Sequence, residues 1–513
     1  MKLLKAMATV AGLTGVSRIF GFARDILTAA ILGAGPVADA FFVALKLPNF
    51  FRRVTAEGAF SVSFVPLYSE KLTKEGGEGA DRFASNAFAV MLSVLIPFTI
   101  LALIAMPWII YAIAPGFEKG QMRYDLAVDL SRVTFPYLLL MSLTALMGGV
   151  LNARERFAPF AAAPIFFNLS LIGALLLFTP VMQTPGHAMA WGVFLAGILQ
   201  FAWLLLSIRR ARVKLEIKRP SFDGDMKRLF KLMGPGVIGA GVVHINLFAD
   251  VIIASLLEEG SISYLYYADR LNQLPLGLVG IAVGTALLPM LSKAFAAGDS
   301  ALAQNLFNRA MEVCLLLALP AAAALFVAGE EMVRVLFERG EFTPDNTLKT
   351  ANVLKGYAIG LPAYICVKVF SSAYWSRQDT VTPVKISVAC TILNIVLALA
   401  FSRVIGVAGI ALATGLAGWL QFALLRRGLG KLPEAKFDAR LRTAVLKIIF
   451  SSVLMGAALY GFAYIAADWF AGAQMEKVLA LIALVAGGAM VYAFAIILTG
   501  AVKPAELKRY LKR

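Results

Sequence analysis

Residues that build disulfide frameworks and metal centres are scarce in this chain. Among 513 residues there are three cysteines, Cys314, Cys366 and Cys390, and two histidines, His187 and His244. The cysteines lie far apart in apolar runs, which suits core packing rather than a disulfide framework or a metal site. Charge is scarce too, at 15% of residues, where a soluble protein carries about 25%. No GxxxxGK[ST] loop, HExxH pair or GxSxG elbow occurs, so the common nucleotide-hydrolysing, zinc-protease and serine-hydrolase signatures are missing and the chain is not expected to be an enzyme. No cleavable leader is evident either. The opening apolar run passes into Arg18 and Arg24 without a cleavage pattern, so the first helix is expected to stay in the mature protein.

What is abundant is apolar surface. Hydrophobic residues make up 60% of the chain and the mean hydropathy is +0.78. One core cannot absorb that excess, so most of it must face lipid in a polytopic all-α membrane protein. Uncharged runs recur at spanning length, at 83–117, 133–153, 157–186, 188–208, 313–329, 386–402, 404–425, 448–467 and 478–502. Charged spans near 8–33, 36–56, 229–257, 261–287 and 350–373 bring the expectation to 14 transmembrane helices. Residues 59–70 read as an amphipathic surface helix. The net charge of +17 sits in alternate loops, including 209–228, 426–442 and the tail, whereas the acidic loop 329–342 lies on the other side. That is the positive-inside pattern, which places both termini in the cytoplasm and argues against nucleic acid as a partner.

The chain repeats itself. Phe22 pairs with Phe248, Asp25 with Asp250, Gly35 with Gly260, Pro48 with Pro275, Pro66 with Pro289 and Arg154 with Arg377. Their offsets are 226, 225, 225, 227, 223 and 223 residues, so one period of about 225 covers them. Each repeat holds six spans, an even number, so both enter the membrane in the same direction. The expected lobes are residues 1–215 and 216–430, with 431–513 supplying two further helices and a cytoplasmic tail. Six plus six favours a transporter working by alternating access over a channel. With no nucleotide site, its driver would be an ion gradient, the membrane potential, or substrate supply and removal.

Between Arg18 and Glu57 the opening hairpin carries eight charges: Arg18, Arg24, Asp25, Asp39, Lys46, Arg52, Arg53 and Glu57. Each costs about 2.5–3.5 kcal/mol at the centre of a spanning helix, so together they imply a wet or liganded cavity. Asp25 or Asp39 can pair with an arginine and lower the cost of its burial. In the second repeat Asp269 and Arg270 stand where the first has apolar residues. Convergent arginines would make a cationic site suited to phosphate or pyrophosphate. The competing reading is structural ion pairs plus snorkelling side chains, and it applies best to Lys46, Arg52 and Arg53 near a helix end. Asp250, with Asn394 and Thr414, is a candidate site for a monovalent cation such as Na+; a carboxylate paired to an arginine is the alternative.

The blocks VSRIFGFARD, ADAFFVALKLPNFFRRVTAEGAFSVSFVPL, YYADRLNQLPLG and SRQDTVTPVKI closely resemble the MurJ (MviN) family of lipid II flippases, in the multidrug/oligosaccharidyl-lipid/polysaccharide exporter superfamily. The likeness runs from the N-terminus to the last helices. It implies a bacterial inner-membrane protein of fourteen helices, two six-helix lobes and a final lipid-accessible pair. It implies transfer of undecaprenyl-pyrophosphate-linked disaccharide-pentapeptide to the periplasmic leaflet for cell-wall synthesis and cell shape. By the same likeness Arg18, Arg24 and Arg270 match cavity arginines and Arg52 stands near the cytoplasmic gate. Asp25, Asp39 and Asn49 fall at supporting positions, with Glu57, Lys46 and Asp269 as gate residues. Two departures stand out. Gln273 replaces an acidic residue three places after the last cavity arginine, and Ala398 occupies the place of a second sodium-binding carboxylate. A monomer among membrane lipids is expected, with lipid II as its partner and no cofactor beyond a possible driving cation. The rival is an exporter of drugs or of another lipid-linked oligosaccharide on the same fold. A cationic-drug exporter would want carboxylates rather than an arginine surplus.

Overall fold

A computed structural model describes residues 2–52, 60–282, 287–430 and 435–501, with backbone alone for helical residues 2–7, 235–245, 247 and 278–282. Among these residues every regular element is helical. The first repeat supplies α1 (Lys2–Leu32), α2 (Pro36–Phe51), α3 (Ser61–Lys74), α4 (Gly76–Ile113), α5 (Met122–Thr134), α6 (Tyr137–Ala153), α7 (Ala158–Leu177) and α8 (Pro185–Arg210). The second supplies α9 (Gly224–Ser255), α10 (Ser261–Ala282), α11 (Leu288–Ala296), α12 (Ser300–Val327), α13 (Gly329–Phe337), α14 (Pro344–Trp375), α15 (Val381–Ile405) and α16 (Val407–Leu429). Beyond them come α17 (Ala439–Ile465), α18 (Ala467–Ala471) and α19 (Gln474–Leu498).

In its described residues each of the fourteen expected spans carries helix, and all three cysteines are free and buried, as packing residues should be. By length and apolar composition, 10 helices among the described residues can cross a membrane. The other four expected spans are α1, α2, α9 and α10, which are charged or short. The ten do not face lipid equally. Only 17% of the apolar window is buried in α15 and in α19, against 78% across α5–α6 and 72% in α14. The expected surface helix is α3, and its apolar face is not left to solvent. Phe64 stacks on Phe60 at 5.0 Å and on Phe83 of α4 at 5.4 Å.

The repeat is visible in the backbone. Pro48 and Pro275 lie inside α2 and α10, and Pro66 and Pro289 inside α3 and at the start of α11. Glu155 and Gln378, 223 residues apart in sequence, end α6 and α14 in the left-handed region with φ of 60° and 64°. Both helix exits therefore use the same turn. A second shared device holds the chain as it leaves each repeat. Asn86 of α4 donates to Ser221 O at 2.9 Å and accepts from Ser221 N at 2.9 Å. Asn308 of α12 donates to Lys436 O at 3.0 Å and accepts from Asp438 N at 3.2 Å. In each case an aspartate next to the clamp, Asp223 or Asp438, caps the following helix.

Packing divides the chain into two compact units, Met1–Ser263 with Arg339–Phe342, and Tyr264–Glu338 with Thr343–Arg513. So α9, the first helix of the second repeat by sequence, packs in the first unit. Its approach is strapped to α4: Lys214 N donates to Asp81 at 3.0 Å and Glu216 N to Ser85 Oγ at 3.0 Å. Lys71 of α3 pairs with Asp225 at 2.8 Å and Arg228 with Glu70 at 3.0 Å. At its far end Ser255 Oγ accepts from Gly116 N at 3.1 Å, and Ser255 O accepts from Arg123 at 3.3 Å. The tetrapeptide Arg339–Phe342 joins the same unit by a backbone bond, Glu341 N to Ala30 O at 2.9 Å. Glycines permit that approach. A Cβ on Gly340 (φ 56°) would lie 2.1 Å from Ala30 O, and one on Gly33 (φ 65°) 2.5 Å from Glu341 O.

Candidate functional site

Arg24 of α1 is one of the buried charges of the first unit, with 8% of its surface exposed. A lone guanidinium there would be costly, and its neighbours account for its tolerance. Asp25 Oδ1 accepts from Nη2 at 2.7 Å and from Nε at 3.2 Å. Asn168 of α7 accepts from Nη1 at 2.9 Å, and the Phe167 ring lies 5.7 Å below the guanidinium carbon. Asn168 in turn donates to Ser17 O at 2.9 Å. Of the two carboxylates the sequence offered as arginine partners, Asp25 is therefore the one bonded to Arg24. Arg18, one and two-thirds turns earlier on α1, is exposed.

Asp39 is elsewhere engaged. It is fully buried at the start of α2 and reaches the N-terminus of α10. Its Oδ2 accepts from Gly260 N at 2.8 Å, while Oδ1 accepts from Ser263 N at 2.9 Å and Ser263 Oγ at 2.7 Å. Arg123 of α5 approaches to 3.7 Å. One carboxylate thus serves two helix N-termini, where the backbone dipoles favour negative charge. Further along α2, Asn49 accepts from Arg52 Nε at 3.3 Å. Lys46 is half-buried one turn before. Beyond Arg52 the expected gate residue Glu57, with Arg53, lies outside the described residues. Aromatic edges close this end of α2: Phe51 meets Phe98 at 5.5 Å and Phe50 meets Phe248 of α9 at 4.7 Å.

In the second unit Arg270 of α10 is half-buried and lies over the Tyr266 ring, 4.5 Å from its centroid. Each repeat therefore sets its arginine against an aromatic face, a contact worth about 0.5–2 kcal/mol according to burial. Asp269 accepts from Gln273 Nε2. Of the candidate cation ligands, Thr414 Oγ1 donates to Ile410 O at 2.9 Å and lies 3.4 Å from Asn394 Oδ1. Ala398, on α15 with Asn394, is fully buried and has no side-chain oxygen. At this candidate site α15 and α16 thus bring two neutral side-chain oxygens, and Asp250 is a residue of the first unit. Among the described residues no cluster of three His, Cys, Asp or Glu side chains could hold a metal.

Sequence reasoning passed over Asn168, Arg123 and Ser263. For Asn168 a signal existed: it is a polar amide inside the apolar run FFNLSL. For Arg123 and Ser263 there was none, since their partner is far off in sequence.

A family model described as "Lipid II flippase MurJ" matches residues 28–481. The "Probable lipid II flippase MurJ" of Rhizobium meliloti (strain 1021) is 40% identical over 100% of this chain and 97% of that protein. The "Lipid II flippase MurJ" of Burkholderia cenocepacia is 35% identical over 84% of each chain. Among solved structures, "Lipid II flippase MurJ, inward closed conformation" superposes with a TM-score of 0.79 at 28% identity, covering 98% of this chain and 99% of the other. An inward-facing multidrug resistance MATE family transporter of the MOP superfamily shares the fold, with a TM-score of 0.69 at 15% identity over 83% of this chain and 98% of the other.

Proposed function

Because this chain belongs to the MurJ family of lipid II flippases, we propose that it carries lipid II from the cytoplasmic to the periplasmic leaflet of a bacterial inner membrane by alternating access. The cargo is an undecaprenyl-pyrophosphate lipid bearing a disaccharide-pentapeptide, moved without any covalent step. In this reading α1, α2, α9 and α10 span the membrane with the ten apolar helices, both termini are cytoplasmic, and the protein works as a monomer among membrane lipids. Arg24 and Arg270 bind the diphosphate, assisted by Arg18 and Arg52. The transport cycle draws on the membrane potential or on a cation held near Asp250, Asn394 and Thr414.

The observation that carries the proposal is the setting of Arg24. A guanidinium deep in a helix of a membrane protein is expensive to keep, and here it is held by a carboxylate, an amide oxygen and an aromatic face. Its planar fork matches the oxygens of a diphosphate, which a monovalent ammonium would meet only as a point charge. Asp25 keeps the arginine neutralised between cargoes, and a diphosphate with two or more negative charges competes with the Asp25 carboxylate. The test is depletion of this protein in its host with a leaflet-specific assay of lipid II. Outward exposure should cease. Undiminished exposure overturns the proposal, and exposure lost for a different lipid-linked oligosaccharide alone reassigns the cargo.

A further inference from the structure

Asn168 stands 144 residues from Arg24 in sequence, yet its side chain is bonded at both ends. It is 6% exposed. Its Nδ2 donates to Ser17 O at 2.9 Å and lies 3.3 Å from Ser17 Oγ, and its Oδ1 accepts from Arg24 Nη1 at 2.9 Å. A backbone carbonyl can only accept, so the amide nitrogen must face Ser17 and the oxygen must face Arg24. The amide thus has one orientation, set by α1 and used on α1. It also lies flat on Gly21, where a Cβ would stand 3.5 Å from Nδ2.

Asp25 cannot do the same work. It follows Arg24 directly, and neighbours at that spacing do not face each other on a helix. Its two bonds to Arg24 among the described residues converge on one oxygen, Oδ1, on the Nε–Nη2 edge. Such a pair holds the charge but lets the fork pivot about that edge. A bond at Nη1, from a different helix, restrains that pivot, and Phe167 backs the plane at 5.7 Å.

We infer that Asn168 is a positioning residue for transport: it fixes the plane of the Arg24 guanidinium so that the fork meets two phosphoryl groups rather than one. This rests on the reading that Arg24 binds the diphosphate. Asn168 does not touch cargo; it acts through Arg24. The bond to Ser17 O joins α7 to α1, and the bond from Nη1 uses the other end of the same amide to hold the guanidinium. The consequence is selectivity. A bidentate contact to a diphosphate depends on the fork's angle, whereas attraction to a monophosphate depends mainly on charge.

The experiment uses the full-length protein in nanodiscs, with lipid II as probe and undecaprenyl phosphate as the competing monophosphate carrying the same tail. Asn168→Ala and the space-filling Asn168→Leu should each lose about tenfold in lipid II affinity, which is 1.4 kcal/mol. Undecaprenyl phosphate affinity should hold within about twofold, so the preference for diphosphate falls. If neither variant accumulates, Asn168→Ser serves, because its hydroxyl is too short to keep both bonds. Unchanged lipid II affinity overturns the inference. So does a parallel loss for both lipids, the signature of a purely structural amide. Arg24→Ala run alongside separates the two levels: if it retains lipid II affinity, the diphosphate reading of Arg24 itself fails, whereas loss in Arg24→Ala with no effect at Asn168 removes only the positioning role.

Discussion

Replacing Asp39 by alanine should unlatch the start of α10, and the size of the effect follows from its contacts. The side chain is fully buried and accepts three hydrogen bonds, two of them from the main-chain amides of Gly260 and Ser263. Alanine leaves both amides and the Ser263 hydroxyl without this acceptor and removes the carboxylate beside Arg123. A bond to a charged group contributes about 1.5–3 kcal/mol, and such contributions do not add fully. Two at the lower figure give about 3 kcal/mol, consistent with the roughly 3–5 kcal/mol for breaking a buried charged pair. At 1.4 kcal/mol per decade, local opening rises about a hundredfold. Hydrogen–deuterium exchange read by mass spectrometry reports it directly, on peptides covering residues 258–266 of the purified protein. Asp39→Asn should fall between. Its one oxygen still serves the two Ser263 donors, but its amide nitrogen then faces the Gly260 N–H, donor against donor. Exchange in Asp39→Ala within about threefold of the unaltered protein would refute the reasoning.

Three further outcomes are expected. Gly340→Ala puts a methyl group 2.1 Å from Ala30 O at a positive φ, so it should lower the melting temperature by several degrees, while Gly12→Ala, with open space around it, should not; equal behaviour of the two contradicts the close approach at Ala30. Asn86→Ala should free the 212–223 strap, seen as about tenfold faster tryptic cleavage there, whereas Asn308→Ala should leave that segment's cleavage rate unchanged because it clamps the other exit. Across α3 and α9, hydrogen bonds from Lys74 and Arg228 hold the Glu70 carboxyl below its usual range, and bonds to Asp225 and Glu75 hold Lys71 above its own. A lowered carboxylate stabilises above its unfolded pKa of about 4.3 and loses that as pH falls through the folded value. A raised lysine stabilises below about 10.4 and loses it as pH rises further. The set should therefore be intact at neutral pH and loosen below about pH 4 and above about pH 10, more so in dilute salt than in concentrated. Melting temperature against pH checks this, and Glu70→Gln should flatten the acid limb.

Much of the architecture was readable because a membrane makes one demand of a helix, a long uncharged run. The stretches at 83–117 and 478–502 need no tertiary information, and α4 and α19 occupy them. The repeat was readable because its prolines survive at one period, and the matching turns at Glu155 and Gln378 bear it out. What sequence could not give was the partner of each buried charge. Arg24 finds Asp25 one residue away, but Asp39 finds amides more than two hundred residues on, and Asn168 reaches back across the first repeat. Such bonds close large loops, and no local periodicity encodes them. The same reason hides the packing of α9 with the first unit, which depends on Asn86, Ser85, Asp81 and Glu70 meeting a linker that reads only as a basic loop.

The claim at the centre of this account is that an arginine from each repeat binds the diphosphate of the cargo. The most direct test is a flippase-depleted strain carrying Arg24→Ala and Arg270→Ala together, scored for lipid II on the outer face of the inner membrane. No outward lipid II and no rescue of growth are expected while the variant accumulates in the membrane at the normal level; normal exposure and growth from that double variant would contradict diphosphate binding by the two arginines.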